Sequence, residues 1–249
     1  MLKAAIEKIL ELNKPNVLSI EGRMYSDKRL TMIPREQLAM EIETHTLSSI
    51  VDYIVHGTDD NAPDVNGIMD IDRRFVIHIE DYNRVNLRRE LNADRSRETL
   101  IVAADDTQTF PFQRYLDVET FIIAVQAFFV QDDMTARLLQ LVSHVTDGRS
   151  VTQSDDGSTQ TVTAKTGILT ASQVSIPNPV ELTPLCTFCE AEQPTRRFVF
   201  RLRGSDSGVE AALFQADGNT WKNAAIQNIK AYFQREIPEE LKDDVIILA

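Results

Sequence analysis

The run Val118 to Val130 constrains this chain more than any other, because Phe121, Ile122, Val125, Phe128 and Phe129 leave it almost no polar face. A helix that is apolar nearly all round must be buried on most sides. Its charge-free part, Thr120 to Val130, lies between Glu119 and Asp132 and falls well short of the roughly 18 residues needed to cross a bilayer. The expectation is therefore a central core helix with no membrane-spanning role. Asp117 stands where an N-cap is needed, and Asp132 or Asp133 opens a second helix carrying Met134, Leu138, Leu139, Leu141, Val142 and Val145. The two together predict a helical hairpin.

Around that hairpin the pattern changes period. Leu2, Ile6, Ile9 and Leu10 recur at helical spacing until Pro15, so residues 2 to 13 read as an amphipathic helix. Val17 to Tyr25 and Leu30 to Ile33, separated by Ser26-Asp27-Lys28, read as a hairpin of strands. Thr46 precedes a helix with Leu47, Ile50, Val51, Ile54 and Val55, ended by Gly57, and Thr58 to Gly67 has the composition of a surface loop. Phe75, Ile77 and Ile79 alternate with Val76, His78 and Glu80, and Thr99 to Ala103 is also strand-like. Two strands flank Ser154-Asp155-Asp156-Gly157, whose Asp-Gly suits a tight turn. Phe198 to Leu202 and Val209 to Phe214 form a further pair around Gly204 to Gly208. Asp217-Gly218-Asn219 then leads into a last helix over Thr220 to Glu236, and Val245 to Leu248 is placed to return as a closing strand. The predicted class is α+β, with largely antiparallel sheets, a central helical hairpin and a C-terminal helix. The chain reads as one unit over 1–249, the alternative being an N-terminal part over 1–97 and a core over 98–249.

Charge limits the partners. With 26 Lys and Arg against 38 Asp and Glu the net charge is -12, which disfavours long-range attraction to nucleic acid or an anionic membrane. The N-terminal helix carries Lys3, Glu7, Lys8 and Glu11 among its apolar residues, unlike a secretory signal, and two cysteines make no disulfide framework, so a cytoplasmic location is expected.

Segments after residue 98 resemble a known family. Thr99-Leu-Ile-Val, Phe110-Pro-Phe, Glu119-Thr-Phe-Ile-Ile, Asp155-Asp-Gly-Ser-Thr-Gln, Pro177-Asn-Pro-Val, Thr187-Phe188, Glu192-Gln-Pro194, Phe198 to Arg201 and Ala211 to Lys222, in that order, are similar to the phage and prophage family called YfdQ-like. The resemblance covers roughly the C-terminal three fifths. It implies an accessory protein of a bacteriophage or prophage, without an accepted enzymatic activity and with no catalytic residue to carry over. The family pattern has a basic residue near Cys186, so the cysteines are this chain's own.

Several constellations each have two readings. Cys186-Thr-Phe-Cys189 has the spacing of a redox or zinc motif, yet further ligands are lacking and ordinary buried thiols fit as well. The histidines at 45, 56, 78 and 144 are scattered, and no metal or other cofactor is expected. Arg197, Arg201 and Arg203 share one face of a strand, suited to clamping phosphate or carboxylate, or to satisfying acids on adjacent strands or a neighbouring subunit. Arg84, Arg88, Arg89, Arg95 and Arg97 are balanced by Asp81, Glu90, Asp94 and Glu98 and read as a solvated or intersubunit surface. Trp221 offers a ring for a base to stack on, or a plug for the core.

The leading expectation is a non-catalytic accessory protein that self-assembles into a homo-oligomer, with Leu2, Ile6, Ile9 and Leu10 as the interface stripe, or that binds a host or defence-system partner. One alternative is a counter-defence protein that sequesters a nucleotide-like anion through Arg197, Arg201, Arg203 and Trp221. Another is a metal-dependent hydrolase of nucleotides or nucleic acids using Asp155, Asp156 or Asp217.

Overall fold

The computed structural model describes residues 3, 6, 8, 17–20, 23–26, 39–56, 74–91, 95–147, 151–155, 159–164, 172–205 and 208–249. The chain forms two compact units, Met1–Leu38 and Ala39–Ala249. The position 97/98 considered as a boundary runs instead between two hydrogen-bonded strands of one sheet.

In the first unit, β1 (Val17–Ile20) pairs antiparallel with β2 (Arg23–Ser26), Ile20 opposite Arg23. The expected single strand Val17 to Tyr25 is thus two paired strands, and Asp27, Lys28 and the expected strand Leu30 to Ile33 lie outside the described residues. Lys3, Ile6 and Lys8 are helical and Ile6 is half exposed. Leu2, Ile9 and Leu10 lie outside the described residues.

The second unit is α+β and holds two main apolar cores. The first is built by α2 (Val118–Phe128) and α3 (Asp133–Asp147), the expected helical hairpin, and α1 (Ser48–His56) belongs to the other core. Asp117 Oδ1 accepts from the Thr120 amide at 3.0 Å and Asp132 Oδ1 from the Thr135 amide at 2.7 Å, so both anticipated acids cap their helices. The hairpin packs on an antiparallel sheet of order β11-β12-β13-β7, comprising β7 (Leu116–Asp117), β11 (Val180–Leu182), β12 (Arg196–Ser205) and β13 (Gly208–Gln215). Alternation along β12 turns Arg196, Phe198, Phe200 and Leu202 inward, where Phe198 and Phe200 join Phe121 at full burial. Each such ring stabilises by about 1.5–3 kcal/mol. A three-stranded antiparallel sheet, β8 (Val151–Asp155), β9 (Thr159–Ala164) and β10 (Ser172–Pro177), adds Ile176 to this core.

The other core lies under a sheet of order β14-β4-β5-β6-β3, from β3 (Ile42–Thr44), β4 (Phe75–Asp81), β5 (Arg84–Arg89), β6 (Thr99–Ala104) and β14 (Val245–Leu248). Its centre is antiparallel and both edge strands pair in parallel, β3 on β6 and β14 on β4. The Val245–Leu248 segment does return as a strand. α1 and α4 (Trp221–Glu236) cover one face through Leu47, Ile50, Ile54, Ile229 and Phe233.

The loop between β11 and β12 ties the cores together. Gln193 Oε1 accepts from the amides of Cys186 and Thr187, and Gln193 Nε2 donates to the carbonyls of Thr187, Phe188 and Ala191, so the loop is wound about one side-chain amide. It sends Phe188 and Ala191 into the second core. Glu190 Oε1 then accepts from the amides of Leu47 (2.9 Å) and Ser48 (3.3 Å), closing the N-terminus of α1 from far along the chain.

Candidate functional site

The arginines singled out in the sequence leave β12 on its outer face, but in different states. Arg203 Nε is 2.7 Å from Glu210 Oε2 and its guanidinium lies 3.9 Å from the Tyr115 ring centroid. Arg201 is half-buried, faces Ala212 in register and donates from Nη1 to the Phe200 carbonyl at 3.3 Å. Arg197 is exposed and stands opposite Glu181 of β11. Acids on adjacent strands thus stand opposite the first and last of the row.

Trp221 is on the other side. Only 8% exposed, it opens α4 and packs edge-on against Tyr82 at 4.7 Å, while Arg196 of the inward-facing row lies 4.3 Å above its ring. The structure therefore brings Arg197, Arg201 and Arg203 together on one sheet face and leaves Trp221 apart from them.

The inner residue that sequence reasoning passed over is Arg196. Its side chain is 2% exposed and its Nε donates to Asp217 Oδ2 at 2.9 Å, the Asp217 side chain being 6% exposed. Phe112 and Phe198 lie 5.4 and 5.2 Å from the same guanidinium. Asp217 Oδ1 also accepts from the Asn219 amide at 3.1 Å, and Gly218 and Asn219 take positive φ at 58° and 65°, so one carboxylate shapes the turn into α4 and neutralises the buried cation. The signal was in the two-residue period: position 196 shares parity with Phe198, Phe200 and Leu202.

The thiols sit beside this cluster. Cys186 is buried, and desolvation pushes its thiol up to about 11, with Arg196 pulling weakly the other way. Cys189 is exposed, and its thiol is also raised, by partial burial first and the Glu190 carboxylate second. Neither is activated as a nucleophile. Of the acids considered for hydrolysis, Asp217 is engaged with Arg196, Asp155 ends β8 opposite Gln160, and Asp156 lies outside the described residues. No group of three or more His, Cys, Asp and Glu is gathered for a metal among the described residues.

One open concavity lies against a sheet edge. A groove of about 540 Å³ runs where α4 overhangs β14, lined by Phe233, Ile237, Val245 and Ile247 with Lys230, Gln234 and Lys242 at its margins. β14 has β4 on one side and, among the described residues, no strand on the other. Val245 is buried, Ile246 and Ile247 are half-buried, and Leu248 is 48% exposed. No helix among the described residues is long and apolar enough to cross a membrane.

Comparisons with protein-family models, with curated proteins and with solved structures return no match for this chain.

Proposed function

We propose that this chain is a non-catalytic assembly protein whose copies associate through the free edge of β14. The observation that carries the reading is that edge itself. A strand of sequence Val-Ile-Ile-Leu, unpaired on that side among the described residues, has no charge, proline or bulge to blunt its backbone groups, which makes it a template for another strand. Sheet extension needs an occupant, and a second copy in antiparallel, two-fold pairing fits the local charges. In that arrangement the partner's acidic residues preceding β14, the counterparts of Asp243 and Asp244, pass the far end of the strand, whose groove carries Lys230 at its margin. Apolar lining from Phe233 and Ile237 supplies the contact beneath.

The YfdQ-like resemblance supports placing such an assembly among phage or prophage accessory proteins acting in the cytoplasm of the host bacterium. The alternative of nucleotide sequestration by the Arg197, Arg201 and Arg203 face is less favoured, since Arg203 already has Glu210 as a partner.

Edge variants test the reading. A lysine in an exposed edge strand disfavours pairing, so Ile247→Lys and, separately, the less buried Leu248→Lys should each give monomeric mass with an unchanged circular dichroism spectrum. Multimers persisting in both variants would overturn the β14 interface.

A further inference from the structure

Pairing two copies of β14 leaves few choices of register. A two-fold axis that joins two edge strands into one antiparallel sheet stands perpendicular to it, so a residue and its copy point to the same face. Residues directly opposite each other in a ladder also share a face. Along β14 the faces alternate: Val245 and Ile247 turn toward the core with Phe75 and Ile77, and Ile246 and Leu248 turn the other way beside Val76 and His78. A residue of one copy can therefore stand opposite only residues of its own parity, and the axis must pass between one residue and its own copy. Val245–Leu248 offers two centres that pair most of the strand, Ile246 and Ile247.

Their surroundings separate the two. With the axis at Ile246, Val245 meets Ile247 of the second copy and Leu248 meets Asp244. Asp244 belongs to the 3-10 helix Glu239–Asp244, outside the strand, and its exposed carboxylate is then set against the most exposed side chain of β14, Leu248 at 48%. With the axis at Ile247, Ile246 meets Leu248 on either side of the centre, Ile247 meets its own copy and Val245 meets Ala249. Every pair is then apolar, Leu248 gains an aliphatic neighbour, and Asp243 and Asp244 pass beyond the paired segment. Side chains directly opposite each other are the unit of sheet stabilisation, and an acid opposite a leucine forfeits one such unit at each end.

We infer that assembly at the β14 edge, the reading on which this step rests, takes a single register, with the two-fold axis at Ile247 and with Ile246 opposite Leu248 of the second copy. The register makes the edge selective. A strand that set a charge opposite Ile246 or Leu248 would lose the flanking pairs, whereas a second Val-Ile-Ile-Leu supplies both.

Cysteine cross-linking in the full chain reads the register directly. Opposed residues of an antiparallel ladder lie about 4.5–5.5 Å apart at Cα, inside the roughly 4.4–6.8 Å that a disulfide spans. A residue offset from its copy by two positions lies about 8 Å away, beyond that span. With the exposed thiol removed by Cys189→Ser and Cys186 left buried, Ile247→Cys should form a covalent dimer on mild oxidation with diamide at least about tenfold faster than Ile246→Cys or Leu248→Cys alone. Mixing Ile246→Cys with an affinity-tagged Leu248→Cys should restore cross-linking between the two chains. A circular dichroism spectrum matching the parent's checks the folding of each variant. Cross-linking led by Ile246→Cys would overturn the register and leave the β14 edge standing as the interface. No covalent dimer from any variant or mixture would overturn the register and the β14 interface together.

Discussion

Removing the charge of Asp217 should destabilise the second unit severely, and the structure allows the magnitude to be worked. Arg196 is 2% exposed and has Asp217 at 2.9 Å as its ion-pair partner, so Asp217→Ala leaves a guanidinium uncompensated among Phe112, Phe198 and Trp221. Breaking a buried pair from one side costs about 3–5 kcal/mol. Losing the acceptor for the Asn219 amide adds about 1 kcal/mol. Asp217→Asn keeps that acceptor and should fall short of the alanine variant by about the same amount. Arg196→Met leaves the Asp217 carboxylate stranded instead, although it also removes Arg196 Nη2, a buried donor with no partner. The double change Arg196→Met with Asp217→Asn removes both charges, so it should cost no more than the worse single variant, giving a coupling of about 2–4 kcal/mol. Urea unfolding of the four proteins, followed by tryptophan fluorescence from Trp221 itself and by circular dichroism, supplies the cycle. Additive losses, or an Asp217→Asn variant within about 0.5 kcal/mol of the parent, would refute the picture of a buried, mutually dependent pair.

Two further outcomes follow from the loop between β11 and β12. Glu190→Ala should cost about 1–2 kcal/mol through the uncapped amides of Leu47 and Ser48, seen as a lower urea midpoint. Cys189 should react with a thiol reagent at neutral pH well before Cys186, which is buried and whose thiol is pushed up to about 11. The raised value also fixes a sign. A thiol whose folded pKa exceeds its unfolded one contributes stability that is complete below about pH 8.5 and lost as the pH climbs toward 11, so Cys186→Ala should flatten the alkaline decline in melting temperature. Equal labelling rates for the two cysteines would contradict the burial assigned to Cys186.

Local chemistry was legible in the sequence. Asp117 and Asp132 cap their helices because a short acid side chain reaches an amide three residues on, and the strand pair Arg196–Ser205 with Gly208–Gln215 follows from alternation around a polar break. Non-local pairing was not legible. Parallel contacts of β3 with β6 and of β14 with β4 join segments whose local patterns carry no mark of each other, and Glu190 reaches α1 only through the folded loop. The site residues divide in the same way. A row of arginines at 197, 201 and 203 is conspicuous in the one-letter sequence, whereas Arg196 becomes notable only once its parity with three buried residues is followed inward. Likewise Arg84 and Arg88 part company with Arg89 when β5 alternates. Arg89 lies over Phe75 and pairs with Glu98, and Arg88 stands opposite Val76 on the other face.

The central claim is that β14 joins copies of this chain, and a dilution series of the native protein by light scattering, extending into the micromolar range, tests it most directly. The account predicts twice the 28.1 kDa chain mass, falling toward the single-chain value on dilution and already at that value in Ile247→Lys and Leu248→Lys. A single-chain mass at every concentration would contradict it.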